Sequence, residues 1–134
     1  MKTKLLLAVL VLALGSLVSG CKKEYITQEL IPNTTIQTSV ATNNWTYDSN
    51  TKTYFAQINM PEITDGTNQT DGVLVYISGD GTTWEALPDV YNGTTIIYTY
   101  KPGVLYLEIQ GSDGSTVNPP GNLYVKIVLV ASAS

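Results

Sequence analysis

The chain of 134 residues carries seven lysines, no arginine, no histidine, a single cysteine and eleven carboxylates, for a formal net charge of −4. Without histidine or a second cysteine, Ser-His-Asp and Cys-His catalysis, His/Cys metal clusters and intramolecular disulfides are excluded. Nucleic-acid binding goes with them, because it needs a concentrated basic face to neutralise phosphates.

Residues 1–20 read as a cleaved export signal. Lys2 and Lys4 precede an uncharged apolar run over residues 5–14, followed by Gly15, Ser16 and a short segment ending in small residues, the order of a secretory signal. The whole apolar stretch, residues 5–18, falls short of the roughly 20 residues that span a bilayer. Its end, Val18-Ser19-Gly20-Cys21, resembles a lipobox. The resemblance implies recognition of Val18, Ser19 and Gly20 by signal peptidase II, cleavage before Cys21 and acylation of that cysteine. Two or three acyl chains, at about 0.8 kcal/mol per buried methylene, make such an anchor effectively permanent. The expected partner of Cys21 is therefore a membrane. The mature chain keeps five lysines against eleven carboxylates, a net charge of −6. Two of those lysines, Lys22 and Lys23, fall in the next segment, so electrostatic attraction to anionic headgroups is not expected.

Residues 21–34 mix charged and polar groups without a clean period and read as a lipidated tether. From residue 35 to 134 the signals are those of one β domain. Thr, Val, Ile and Tyr dominate, and turn residues recur about every ten positions, the pattern of a sandwich or barrel. Strands are expected at 35–41, 53–60, 72–78, 83–88, 94–100, 103–110 and 122–131, with a short one at 45–47. No window predicts a helix. The expected fold class is thus all-β: an antiparallel β-sandwich of Ig-like style, with about seven strands.

Two turns refine this. Asn92-Gly93 is a strong hairpin signal joining the run that ends at Tyr91 to the run that starts at Thr94. Lys101-Pro102-Gly103 joins the next two runs. With a three-residue loop, Tyr98 would face Tyr106, Tyr100 would face Val104 and Ile96 would face Glu108, leaving Ile97, Leu105, Leu107 and Ile109 on the other, core-facing surface. The last strand alternates Leu123, Val125, Ile127 and Leu129 on one face. Its other face becomes apolar at Val128 and Val130, which predicts cover on both sides there. Set beside 103–110, it would bring Lys126 near Glu108.

The candidate ligand or partner face follows from that register. Tyr98, Tyr100, Tyr106 and Tyr124 would share one surface, and aromatic arrays both stack on sugars and anchor protein contacts; cross-strand tyrosine pairing that merely stabilises the sheet is the simpler reading. Trp45 and Trp84 read as core or sheet-edge residues, Trp84 partly exposed after a glycine-rich turn. Asp65, Asp71, Asp80 and Asp113 are weak calcium candidates, since acidic loops can converge at one end of a sandwich. Asp-Gly is also ordinary turn chemistry, and no metal or cofactor is expected. A pair of such acids could act as a glycosidase couple only within a cleft. The irregular stretch 111–121 is a further recognition candidate.

The segment from residue 45 to 130 resembles a group of uncharacterised lipoproteins typical of Bacteroidota. The matching features are Trp45-Thr46-Tyr47, Tyr54-Phe55-Ala56 leading to Met60-Pro61-Glu62-Ile63-Thr64, Gly72-Val73-Leu74-Val75-Tyr76, and Trp84-Glu85-Ala86-Leu87-Pro88. The resemblance implies an envelope β domain and brings no catalytic residues. Lys22-Lys23-Glu24 is similar to the charged signals that send such lipoproteins to the cell surface, with one acid where two are usual. Together these features predict an outer-membrane lipoprotein, exposed at the surface, that serves as a non-catalytic binding or structural module with a protein or glycan partner. The competing expectations are a carbohydrate-binding lipoprotein that uses the tyrosine face, and a weak carboxylate-based hydrolase.

Overall fold

The computed structural model describes residues 32–132. The signal segment 1–20 with Val18, Ser19 and Gly20, the acylation site Cys21 and the tether up to residue 31 lie outside the described residues. Within them the chain forms nine strands: β1 (Thr34–Val40), β2 (Thr46–Asp48), β3 (Thr53–Met60), β4 (Gly72–Ser78), β5 (Glu85–Ala86), β6 (Asp89–Tyr91), β7 (Thr94–Lys101), β8 (Gly103–Gly111) and β9 (Leu123–Val130). They build two antiparallel sheets, ordered β1-β9-β4-β5 and β2-β3-β8-β7-β6. The chain is an all-β sandwich.

Alternation explains which side of each strand turns inward. Strand side chains point to opposite faces with a period of two. Val73, Val75 and Ile77 on β4 and Val125, Ile127 and Leu129 on β9 are buried from the first sheet. Ala56, Ile58 and Met60 on β3 and Leu105, Leu107 and Ile109 on β8 meet them from the second, in one continuous core. Each fully buried aliphatic side chain contributes about 1.5–3 kcal/mol. With no disulfide to help, this packing holds the sheets together.

The expected boundaries of β3 and β4 are those observed, and a short strand forms at Thr46–Asp48, close to the expected 45–47. The run 83–88 is not one strand. Leu87 donates its N–H to the Val75 carbonyl at 2.9 Å, and Pro88, lacking an N–H, cannot continue that ladder. The chain crosses to the other sheet and re-forms as β6, which pairs with β7 across Asn92-Gly93. Both residues have positive φ, 47° and 73°, the demand of a type I′ hairpin.

A helix also forms where none was expected, α1 (Asp65–Thr70). Its residues, Asp-Gly-Thr-Asn-Gln-Thr, include no apolar group and bury nothing, so no hydrophobic period announces it. Thr64 starts it by accepting the Thr67 N–H on its side-chain oxygen at 3.1 Å, an N-cap.

Candidate functional site

The hairpin between β7 and β8 decides where the tyrosines go. Lys101 pairs with Val104 around the two residues Pro102 and Gly103. Proline at the first turn position and glycine at φ +83° at the second suit a type II turn. The loop is one residue shorter than the three-residue loop predicted, and a one-residue slip moves every side chain of one strand to the opposite face relative to its partner. Tyr98 therefore faces Leu107, Tyr100 faces Leu105, and Ile96 faces Ile109, all on the core side.

Tyr98 and Tyr100 pack against the core cluster with their rings stacked at 6.4 Å. The Tyr98 hydroxyl donates to the Val73 carbonyl across the sandwich at 2.6 Å, and burial, followed by Tyr100 and Tyr76, pushes its phenol above the ordinary value. Tyr106 points the other way, beside Glu108 on the outer face of the five-stranded sheet. Tyr124 lies on the outer face of the four-stranded sheet, 49 % exposed. The four tyrosines do not share a surface.

Lys126 is likewise not beside Glu108. Strand β9 lies between β1 and β4, which places Lys126 between Gln37 and Tyr76. Its Nζ sits 4.4 Å from the Trp84 ring centroid and 5.0 Å from that of Tyr76. Val128 and Val130 on the same face are half-buried, and Leu74, paired with Val128, is exposed; among the described residues the outer face there is only partly covered.

Near Trp84 there is a groove of about 540 Å³ whose lining includes Gln37, Ser39, Asp80, Gly81, Trp84 and Tyr124. Three separate segments build it. Strand β1 brings Ser39 directly opposite Tyr124. The turn between β4 and β5 brings Asp80 to Trp84 over the end of the sheet. Asp80 shapes that turn: its Oδ1 accepts from the Ser78 hydroxyl at 2.9 Å and from the Thr82 and Thr83 N–H groups at 2.8 Å each. These bonds, led by the Thr83 amide, hold the Asp80 carboxyl far below the usual carboxylate range. The Ser78 hydroxyl in turn accepts the Gly81 N–H at 2.8 Å.

Each aromatic ring has a neighbour at contact distance. Lys126 covers one side of Trp84, an attraction of roughly 0.5–1 kcal/mol at an exposed site. Gly81 lies beside Tyr124: a Cβ there would stand 3.4 Å from Cε2 of the ring, an ordinary van der Waals distance.

Two other concavities lie elsewhere on the domain. One of about 700 Å³ opens between the sheets beneath the loop that contains Asp113 and Val117, with Ile77, Ile96, Ile109 and Leu123 among its lining and no aromatic ring. Another of about 430 Å³ sets Phe55 and Tyr106 among Asp48, Glu108 and Gln110.

Each acidic metal candidate already serves its own local structure. Asp65 begins α1, Asp71 ends it and accepts the Ser132 N–H at 3.1 Å, and Asp113 is held below its ordinary pKa by the Ser115 hydroxyl and then the Ser115 amide. Among the described residues no three of these acids gather as a cation site would need. Asp80 and Asp113 are both pulled down, the reverse of the raised carboxyl that a general acid requires. Trp45 is buried as expected, its indole N–H without a partner among the described residues.

No family model, curated protein or solved structure matches the chain. Gln37 and Ser39 carried no signal in the sequence, because an exposed polar residue on an edge strand looks like any other. Trp84 did: an aromatic directly after Asp-Gly-Thr-Thr sits where a capped turn delivers it to the surface.

Proposed function

We propose that this chain is a bacterial envelope lipoprotein, held on the outer membrane by acyl groups on Cys21 and exposed at the cell surface, whose sandwich is a non-catalytic binding module. The observation that carries the binding role is the groove between Trp84 and Tyr124, where two aromatic rings stand beside polar side chains on the outer face of the four-stranded sheet. The sequence Val18-Ser19-Gly20-Cys21 after an apolar run supports the anchor. Strand β1 begins at Thr34, so a short tether separates the anchor from the domain.

The resemblance to Bacteroidota lipoproteins belongs to the same reading. Several residues of its motifs, namely Trp45, Met60, Ile63, Val73, Val75 and Leu87, are buried, so those motifs serve packing in this chain.

Metabolic labelling with an alkyne palmitate tests the anchor. The expected result is label on the wild-type chain, none on the Cys21→Ser variant, and accumulation of the uncleaved precursor when signal peptidase II is inhibited. An unlabelled wild-type chain recovered in the soluble periplasmic fraction would overturn the anchored reading.

A further inference from the structure

We propose that the groove between Trp84 and Tyr124 binds a neutral glycan chain, its rings stacking on the sugars' apolar faces while Gln37, Ser39 and Asp80 hydrogen-bond the hydroxyls. This rests on reading the domain as a binding module and names the ligand class of that same groove.

A sugar ring offers a C–H face and a rim of hydroxyls, each both donor and acceptor. Its site therefore needs flat apolar surface next to groups that can do both. Trp84 and Tyr124 supply the surface. The Gln37 amide and the Ser39 hydroxyl each donate and accept, whereas the Asp80 carboxylate accepts only. The register groups these around one corner: Ser39 is paired with Tyr124 across the strands, and Gln37 lies two residues before Ser39 along β1.

Charge selects the neutral class. The groove carries a carboxylate that its turn keeps ionised, and the nearby lysine, Lys126, is already engaged with two rings. The chain has no arginine, the residue best suited to bidentate recognition of carboxylate or phosphate groups. Sulfated and uronic glycans would meet repulsion without compensation. A purely apolar partner would strand Gln37, Ser39 and Asp80 without the water they now face, at a cost for each unpaired polar group.

The test uses the acylated chain in phosphatidylcholine vesicles, sedimented with fluorophore-labelled oligosaccharides. The panel covers neutral glucans, mannans, galactans and xylans, with polygalacturonate and a sulfated galactan as acidic probes. At least one neutral series is expected to co-sediment saturably, and both acidic probes to stay in solution. Trp84→Ala and Tyr124→Ala are each expected to weaken binding by roughly ten- to a hundredfold, the range of an aromatic hot spot. Gln37→Ala, at an exposed edge position, provides a loss of binding with no demand on the core. Tyr106→Ala, on the other sheet, leaves binding unchanged. Emission from the buried Trp45 reports folding in every variant.

Three results would overturn the proposal: no neutral oligosaccharide co-sediments, an acidic probe binds as well as the best neutral one, or binding survives in folded Trp84→Ala and Tyr124→Ala chains. If instead the groove captures a second copy of the chain through Trp84, the glycan class falls and the binding module stands. A chain that fails palmitate labelling loses its anchor, and the same oligosaccharide panel is then read by equilibrium dialysis against the free chain, with the same results supporting or overturning the groove.

Discussion

The Tyr98 hydroxyl donates to the Val73 carbonyl because strand β5 is too short to do so. Val75, two residues on, points its carbonyl the same way and receives the Leu87 N–H, but β5 pairs only with Tyr76 and Ile77. A side chain from the opposite sheet thus completes the edge, which makes Tyr98 a structural residue. Tyr98→Phe keeps the ring and removes the bond, so chemical denaturation should show a loss of about 1 kcal/mol, the net worth of one such hydrogen bond. Asp80 acts on the pH dependence. Its carboxyl titrates lower in the folded chain than the ordinary value of 3.8, so below that value the unfolded chain binds more protons and stability falls as pH falls. Above it the contribution is fully present. Urea midpoints measured from pH 6 down to pH 2 should therefore drop more steeply for the wild type than for Asp80→Asn, and parallel curves would contradict this.

At the scale of elements, local pattern was legible where one face alone is apolar. In β3, Tyr54, Ala56, Ile58 and Met60 alternate with Gln57 and Asn59, and both ends of the strand could be read. In β7, Ile96 and Ile97 make either face a plausible core, so periodicity left the register open. The Pro102-Gly103 turn chose between them, and with it the side on which Tyr98 and Tyr100 lie. The end of β5 inside the run 83–88, with β6 starting only beyond it, turned on Pro88, and α1 had a cap but no apolar face. The turn after β8 carries its own constraint. A Cβ at Gly111 would meet the Ser115 carbonyl oxygen at 2.5 Å, and backbone cannot swing aside as a side chain can. Gly111→Ala should cost roughly 1–3 kcal/mol, as overpacking commonly does, read as a lowered melting temperature. An unchanged melting temperature would mean that the loop 112–122 adjusts freely.

For the whole molecule, what the sequence hid was which distant strands become neighbours. The first and last strands of the described domain pair along seven residues, from Thr34 opposite Leu129 to Val40 opposite Leu123, and no local feature of either strand specifies that partner. The groove depends on it, since Ser39 meets Tyr124 only through this pairing. Tyr124 was legible as a candidate and Trp84 as a partly exposed ring, whereas their union with Gln37 and Ser39 is a product of topology. The turn at Pro102-Gly103 sends Tyr98 and Tyr100 to the opposite face from Tyr106, and the strand order carries Tyr124 to the other sheet. The proposed recognition site lies on the outer face of the four-stranded sheet, whereas Tyr98 and Tyr100 serve the interior. Co-sedimentation of neutral oligosaccharides with the vesicle-bound chain tests this most directly. Binding that disappears in Trp84→Ala and Tyr124→Ala and persists in Tyr106→Ala is the predicted result; binding indifferent to Trp84 and Tyr124 would contradict it.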